Sequence, residues 1–427
     1  MHNQNHKTPF VKLSRAYLEK IGAEQGPSFY LLDATQFREN YEKLNSAFRL
    51  YYPNTKIAYS YKTNYIPRFC ELVDQLGGYA EVVSSMEMTL ARRVGVIDRN
   101  IFFNGPYKEP EYVFSLLEGG GTINVDSLAE LEFISRWADT HDGPSFKLGL
   151  RCNFDVCDGV VSRFGFDVNG VDFEKAIGKI DAHDKLELCG LHCHFATRSL
   201  SCWENRTKGM IQVIDKFFRN RIEKLKHISL GGGIYGYMPD DLKSQFSVEI
   251  PSFENYAAVA ALPFMQYLQA CKTEHRPTLI IEPGTALVAD ALKFVCTVNS
   301  IKHVQGGTIV SLSGSTYNIN PTPNRKNVPI GIYSALSEQS REWVENANFG
   351  GYTCIEGDYL YKGYKGPIAV GDYVVFDDIG SYSVVMKPPF ILPNVAIVEL
   401  NENNQSYKLI KRAETFDDIF HTYNSLS

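Results

Sequence analysis

The segment Lys56-Ile57-Ala58-Tyr59-Ser60-Tyr61-Lys62-Thr63-Asn64 combines an apolar strand pattern with a lysine at its end. The residues before Lys62 are mostly apolar, aromatic or small, which predicts a buried strand. An ammonium group at the end of such a strand is costly to bury, so it is paired, lies in a wet cleft or becomes neutral. A desolvated lysine of lowered pKa can act as a nucleophile toward a carbonyl group. Lys62 is therefore a candidate for holding a cofactor aldehyde, and a solvated strand-end lysine is the alternative.

The composition describes an ordinary globular protein large enough for two domains. The chain has 427 residues, of which 44% are hydrophobic and 22% charged, and its formal net charge is -6. That charge argues against a nucleic-acid partner held by phosphate contacts. No run of 18 apolar residues predicts a membrane span, and the polar N-terminus lacks the apolar core of a signal peptide. The nine cysteines follow no disulfide framework, so we expect reduced thiols and a cytoplasmic protein.

Eight strand patterns alternate with helical patterns through the first two thirds of the chain. The strands are predicted at 56–61, 79–83, 100–103, 122–125, 146–152, 187–194, 227–230 and 278–281. Such alternation implies parallel strands, and eight strand–helix units can close into a barrel. A doubly wound open sheet is the alternative. The pattern therefore predicts an α/β fold built on a (βα)8 barrel.

The pattern changes after Pro283. Further strand patterns, separated by many Gly, Pro and Asn residues, lie at 286–297, 308–312, 369–375 and 395–398. They predict a second, mostly β domain, which the early strand pattern at 27–33 is expected to join because chain ends often lie close together. The predicted domains are therefore 34–285 for the barrel, and 1–33 with 286–427 for the β-rich domain.

Polar and ionisable side chains follow every predicted barrel strand. In a (βα)8 barrel the active site lies at the C-terminal ends of the strands. The residues at these ends are Lys62, Glu81, Asn104, Asp126, Arg151, His192, His194, Gly231 to Gly233 and Glu282 to Thr285. Ser84 and Ser127 are typical of helix N-caps, and Lys108 is expected to be solvated.

Several of these features together describe one cofactor. Consecutive glycines after a strand let the backbone approach a phosphate closely, although Gly231 to Gly233 lack the spacing of a dinucleotide fingerprint. Glu282 follows the three apolar residues Leu279 to Ile281, so it is either salt-bridged or positioned to pair with a protonated nitrogen. His194 is suited to stack on a flat ligand, and no ligand spacing around it supports a metal site. With Lys62 forming a Schiff base, the set describes pyridoxal 5′-phosphate (PLP).

Ten ordered motifs resemble those of the fold-type III PLP-dependent decarboxylases, the group of diaminopimelate, ornithine and arginine decarboxylases. They run from about Pro27 to Phe390 and read YSYKTN, VVSSMEM, NGPYK, NVDS, RCN…SRFGF, GLHCHF, LGGGI, EPGT, CIEGD and GDYVVFDDIGSY. The resemblance implies an alanine-racemase-like barrel with a C-terminal β domain. It also implies α-decarboxylation of an amino acid and a homodimer whose active sites lie at the interface.

The same resemblance assigns roles to matching positions. It implies that Lys62 is the Schiff-base lysine, that His194 stacks on the ring and that Glu282 pairs with the pyridine nitrogen. Cys354 matches a cysteine of the partner subunit that handles the proton added after CO2 leaves. The remaining implied cofactor-binding residues are Glu81 and Arg151 near the hydroxyl side, Gly231, Gly232 and Gly233 at the phosphate, Gly284, and Tyr382.

Three positions depart from the family pattern. Thr285 replaces an arginine that helps to hold the phosphate or a carboxylate, and Ile355 replaces an acidic residue that reads the far amino group of the substrate. The family's HIGS pattern is altered to His194-Phe195-Ala196-Thr197. These changes predict a non-standard or conjugated amino acid from a specialised biosynthetic pathway, with Arg325, Ile355 and Asp358 as candidate substrate contacts. The alternatives are diaminopimelate decarboxylase proper, an amino-acid racemase and a non-catalytic homologue that binds a partner.

Overall fold

The structure is a computed structural model that describes residues 13–141, 143–320, 326–401 and 406–424. These residues form two compact units. The barrel unit contains Arg38–Gly236 and Val248–Leu287, and the β-rich unit contains the residues up to Phe37, Tyr237–Ser247 and those from Val288 onward. Residues 237–247 therefore belong to the β-rich unit, although they lie within the range 34–285 predicted for the barrel.

Eight parallel strands close into a ring in the barrel unit. They are Thr55–Ser60, Tyr79–Val82, Ile101–Phe103, Thr122–Val125, Phe146–Asn153, Leu186–His192, His227–Ser229 and Thr278–Ile281. Each strand pairs with the next in this order, and the last pairs with the first. The eight strands predicted from the sequence and their closure into a barrel are thus confirmed, and the open sheet is excluded.

Helices connect the barrel strands and bury one apolar side each. They are Ala34–Tyr51, Pro67–Gln75, Ser85–Arg93, Pro110–Glu118, Leu128–Ala138, Val171–Asp181, Leu200–Phe218 and Phe253–Ala270. Four of them begin at a serine N-cap whose hydroxyl accepts a hydrogen bond from a backbone N–H: Ser84 from Glu87, Ser127 from Glu130, Ser199 from Cys202, and Ser252 from Asn255. The caps predicted at Ser84 and Ser127 are therefore confirmed. Shorter elements here are Tyr61–Thr63, Asp98–Asn100, Phe166–Asp167, Arg219–Lys224 and Thr285–Val288.

The β-rich unit is built on a second sheet. Its strands are Phe29–Leu32, Leu292–Val304, Gly307–Leu312, Ile330–Tyr333, Glu342–Gly350, Tyr359–Ile368, Tyr373–Phe376, Ala396–Leu400 and Tyr407–Lys411. Phe29–Leu32 pairs antiparallel with Leu292–Val304 and parallel with Ala396–Leu400, so the early strand does join this sheet. Its helical elements are Arg15–Gln25, Asp240–Lys243, Ala289–Ala291, Thr316–Ile319, Glu338–Ser340, Val384–Met386 and Phe416–Phe420.

Two strand predictions in this unit were wrong at their starts. The segment predicted as a strand from 286 is helical at Thr285–Val288 and turns at Ala289–Ala291 before the strand begins. Short apolar runs do not distinguish helix from strand, which explains the error. The segment predicted from 369 first forms a turn in which Gly371 has a φ of 87°. No helix among the described residues has the length and apolar character needed to cross a membrane.

Candidate active site

Lys62 lies at the mouth of the barrel, in the turn that ends the first strand. Its Nζ donates to Oε2 of Glu81 at 2.7 Å, and its side chain is 32% exposed. Glu81 is buried on the second strand and also accepts from the Ser60 hydroxyl at 2.6 Å. The strand-end lysine is therefore both paired and partly accessible, which is the arrangement that a ligand-binding amine requires.

Asn104 joins this pair to the carboxylate of Glu282. Its Nδ2 lies 3.2 Å from Oε1 of Glu81 and 3.0 Å from Oε1 of Glu282. Glu282 also accepts from the Ser229 hydroxyl at 2.6 Å and lies 3.2 Å from Nε2 of His192. Burial alone raises the pKa of Glu282, but the attraction of His192 and these hydrogen bonds outweigh it and hold the pKa below its ordinary value. Glu282 is therefore a buried, ionised carboxylate that faces polar side chains.

The glycine run forms a tight turn beside Glu282. Gly231 and Gly233 have φ angles of 70° and 89°, a region that other residues rarely adopt. A Cβ on Gly232 would lie 2.2 Å from the carbonyl oxygen of Glu282, and one on Gly231 would lie 2.5 Å from that of Cys193. Only glycines fit here, so the backbone itself forms this part of the site.

His194 lies against the glycine turn. Its Nδ1 accepts a hydrogen bond from the backbone N–H of Gly232 at 3.0 Å. Burial, followed by the nearby cations of Lys62 and Arg206, lowers the pKa of His194 well below its ordinary value. The imidazole is therefore neutral, which suits packing against a ring better than pairing with an anion.

A buried arginine supports the same turn from behind. Arg206 donates to the carbonyl oxygens of Leu230 at 2.8 Å, Gly232 at 2.7 Å and Phe195 at 2.9 Å. Because these carbonyl groups bind Arg206, the peptide planes on both sides of the turn have a fixed orientation. Arg206 thus positions the glycine turn and the segment after His194.

Arg151 and Lys108 lie in a polar layer at the neighbouring strand ends. Arg151 Nη1 is 3.3 Å from Oδ1 of Asp126 and 3.3 Å from the carbonyl oxygen of Asn104. Lys108 was expected to be solvated, but this was wrong. Its Nζ is buried and donates to Oε1 of Glu130 at 2.7 Å.

The remaining candidate residues lie in the β-rich unit. Cys354 is exposed and Ile355 is 40% exposed, on the turn after the strand Glu342–Gly350. Tyr382 adopts a φ of 57°, which is uncommon for a residue with a side chain. Arg325 lies outside the described residues.

Asp358 closes the turn that carries Cys354. Its Oδ1 accepts from the Thr316 N–H at 2.7 Å and the Ser315 hydroxyl at 3.0 Å, and its Oδ2 accepts from the Thr353 hydroxyl at 2.6 Å. Both carboxylate oxygens are therefore engaged within the unit. Asp358 therefore holds this turn, and the substrate contact that the sequence suggested stays a prediction.

Sequence reasoning gave no role to three residues that organise the site, Asn104, Ser229 and Arg206. Asn104 was noted at a strand end, and its position there was the available signal. Ser229 ends a barrel strand just before the glycine run, and a serine there has no pattern that distinguishes it from a structural one. Arg206 lies on a helix, and nothing in the sequence distinguishes it from a solvated arginine.

A paired lysine, a buried ionised carboxylate and a glycine turn at the mouth of a (βα)8 barrel define an enzyme that binds an aldehyde cofactor carrying an anionic group. The family model described as the pyridoxal binding domain of pyridoxal-dependent decarboxylases matches residues 35–289, more than half of the chain. The chain therefore belongs to the fold-type III PLP-dependent decarboxylases, and its cofactor is PLP.

Individual relatives are distant but cover nearly the whole chain. The L-glutamyl-[BtrI acyl-carrier protein] decarboxylase of Niallia circulans is 26% identical over 96% of this chain and 97% of its own. The diaminopimelate decarboxylase of Aquifex aeolicus is 23% identical over 94% of this chain and 93% of its own. The crystal structure of Helicobacter pylori diaminopimelate decarboxylase with L-lysine shares the fold, with a TM-score of 0.80 at 19% identity over 96% of this chain and 100% of that one.

The residues present fit PLP. The ionised Glu282 is able to pair with a protonated ring nitrogen, and the glycine turn, which has no side chains, lets the backbone approach a phosphate closely. Lys62 lies in the same hydrogen-bonded network as Glu282, through Glu81 and Asn104. Among the described residues, no group of three or more His, Cys, Asp or Glu side chains is arranged to hold a metal ion.

Proposed function

We propose that this decarboxylase acts on a non-standard or conjugated amino acid of a specialised biosynthetic pathway. The observation that carries the proposal is Ile355, an apolar side chain 40% exposed on the turn beside Cys354. An apolar side chain offers no partner to a substrate ammonium group, whereas the acidic residue usual at this position does. A substrate that ends in a free amine therefore gains little from this turn.

The similarity to a decarboxylase of conjugated substrates supports the proposal. The name of the Niallia circulans relative describes a glutamyl group attached to an acyl-carrier protein. In that name the amino acid is joined to a carrier at the time of decarboxylation. We infer that the present enzyme also takes an amino acid whose side chain is extended or joined to another group.

We assign the cofactor contacts as follows. Lys62 would hold the cofactor covalently through Nζ. Glu282 pairs with the ring nitrogen, and His194 packs on the ring. The other assigned contacts are Glu81 and Arg151 at the hydroxyl side, Gly231, Gly232, Gly233 and Gly284 at the phosphate side, and Tyr382.

The chain's own residues stabilise charge and transfer protons. When bound, PLP takes up the electron pair that remains after CO2 leaves. Glu282, ionised by its hydrogen bonds, keeps the ring nitrogen protonated and so favours that uptake. The Cys354 thiol supplies the proton to the α-carbon. Lys62 Nζ, which donates to Glu81 in this structure, would hold the cofactor again after the product amine departs.

We also propose that the enzyme is a homodimer with shared active sites, in which Cys354 comes from the partner subunit. Mixing the inactive variants Lys62→Ala and Cys354→Ala tests this. Hybrid dimers would then contain one intact site, so the mixture should regain up to about a quarter of the wild-type activity. No regain after subunit exchange, shown by a size-tagged variant, would place Cys354 and Lys62 of one site in the same chain.

The cellular location proposed is the cytoplasm. All nine cysteines are free, which is the usual state of thiols in a reducing compartment.

The substrate assignment is tested by CO2 release from a panel of amino acids. The panel contains meso-diaminopimelate, L-ornithine, L-glutamate and L-2,3-diaminopropionate, the last two also as side-chain N-acyl or amide conjugates. The proposal expects the highest kcat/KM for a conjugate. Diaminopimelate decarboxylase proper is the second candidate, because several relatives carry that name. A kcat/KM for meso-diaminopimelate above that of every conjugate would establish it instead.

A further inference from the structure

Arg198 lies at the mouth of the barrel and comes from the loop after the sixth strand. It follows the sixth strand, just before the helix Leu200–Phe218, and its Nη2 donates to the hydroxyl of Thr285 at 3.1 Å. Thr285 comes three residues after Glu282, on the loop that ends the eighth strand. The guanidinium therefore spans two loops at the carboxyl ends of the barrel strands.

The surroundings of Arg198 place it between two parts of the proposed cofactor site. On one side, a Cβ on Gly284 would lie 1.9 Å from the hydroxyl of Thr63, so the residue before Thr285 packs against the residue after Lys62. On the other side, a Cβ on Gly233 would lie 3.7 Å from the carbonyl oxygen of Thr197. Arg198 is thus adjacent to both the lysine turn and the glycine turn.

The arginine is held in place without being neutralised. The Tyr256 hydroxyl donates to its carbonyl oxygen at 2.6 Å, and its guanidinium lies 5.1 Å from the ring centroid of Tyr235. Among the described residues of the barrel unit, no carboxylate forms an ion pair with Arg198. Arg198 and Thr285 are both half-buried, so this positive charge is partly desolvated and yet open to a ligand.

We propose that Arg198 binds an oxyanion in the active site, either the cofactor phosphate or a carboxylate of the substrate. A guanidinium with one N–H on a neutral hydroxyl retains further donors in a fork that matches such a group. Thr285 fixes the guanidinium plane. The cation therefore comes from the loop after the sixth strand, and the loop after the eighth strand contributes only the hydroxyl that holds it. The inference rests on the proposed position of the cofactor at the glycine turn.

Binding measurements on Arg198→Gln separate the two sources. The cofactor arm compares the dissociation constants of PLP and of pyridoxal, which lacks the phosphate. The substrate arm measures glutarate, a dicarboxylate without an amine, binding to the PLP-loaded enzyme by calorimetry. Loss of a charge-assisted hydrogen bond predicts about tenfold weaker binding of the anion that Arg198 contacts. Weaker PLP binding with unchanged pyridoxal binding identifies the phosphate, and weaker glutarate binding alone identifies a substrate carboxylate.

Two further variants serve as controls. Arg93→Gln removes the same charge from an exposed arginine at the end of the helix Ser85–Arg93 and should change neither affinity. The double variant Arg198→Gln with Thr285→Arg moves the cation to the other loop and should recover most of the lost affinity. Unchanged PLP and glutarate affinities in Arg198→Gln would overturn the inference. A wild-type enzyme that fails to bind PLP would instead contradict the proposed cofactor site.

Discussion

Glu282 and Asp358 are both buried carboxylates, 3% and 4% exposed, yet their donors differ in kind. Glu282 is surrounded by side chains from separate strand ends, those of Asn104, Ser229 and His192. Asp358 is surrounded by backbone N–H groups and hydroxyls, and two of its four donors come from Thr353, five residues away. The donors of Glu282 thus converge from three barrel strands, whereas those of Asp358 come from its own turn and from the start of the helix Thr316–Ile319. Asp358 therefore holds a turn, and Glu282 is the acid proposed to take part in the chemistry.

Glu282→Gln should give the largest effect, because it removes the charge but keeps an oxygen for Ser229 and Asn104. We expect kcat to fall roughly a hundredfold, the usual effect of removing one preorganised charge-stabilising group. Thermal stability should change little. Single-turnover CO2 release and the melting temperature of the PLP-loaded enzyme measure the two quantities. An unchanged kcat would show that Glu282 has a structural role like that of Asp358.

Asp358→Asn should lower stability rather than kcat. Asparagine replaces one of the two carboxylate oxygens by an NH2 group, which turns donors toward the N–H group of either Thr316 or Thr353, so we expect a loss of about 2 kcal/mol in the stability of the turn. Hydrogen exchange of residues 351–358 should become faster, while exchange in the barrel strands stays the same. Ser315→Ala removes one donor to Asp358 and the acceptor that caps the Tyr317 N–H, leaves the carboxylate in place, and should cost about 1 kcal/mol. Unchanged exchange in both variants would contradict the assignment.

The sequence predicted the parts of the molecule that depend on local pattern. Strand periodicity located all eight barrel strands, and the rule that barrel sites lie at strand ends brought Lys62, Glu81, His194 and Glu282 together. The serine caps at Ser84 and Ser127 were also predictable, because an N-cap involves only the next helical turn.

The rest depends on contacts between residues far apart in the chain. The Lys108–Glu130 ion pair joins a loop to a helix start, and no periodicity in the sequence indicates that the two side chains are buried together. Asn104 contacts both Glu81 and Glu282 only because the barrel closes and places three strand ends within reach. Arg206 binds carbonyl groups, which every residue has, so its partners leave no trace in the sequence.

A third buried carboxylate, Glu87, extends the comparison. The backbone N–H of Val83 donates to its Oε2 at 2.8 Å. Burial raises the pKa of Glu87 from 4.5 to about 7, and the charge of Glu81 adds to this, although the Val83 N–H and Lys62 oppose it. With three donors Glu282 stays ionised, and with this weaker set Glu87 takes up a proton near neutral pH.

Glu87→Gln should therefore change how stability depends on pH. Between pH 4.5 and 7 the folded wild type retains a proton that the unfolded chain releases, so its free energy of unfolding falls as pH rises. The slope from one such group is at most about 1.4 kcal/mol per pH unit. The variant keeps an acceptor for Val83 but cannot titrate, so the stability advantage of wild type over variant should shrink across this interval. Urea denaturation of both proteins at pH 4.5, 5.5 and 7 measures it. An advantage that stays constant with pH would mean that the donors near Glu87 are sufficient to keep it ionised, as they are for Glu282.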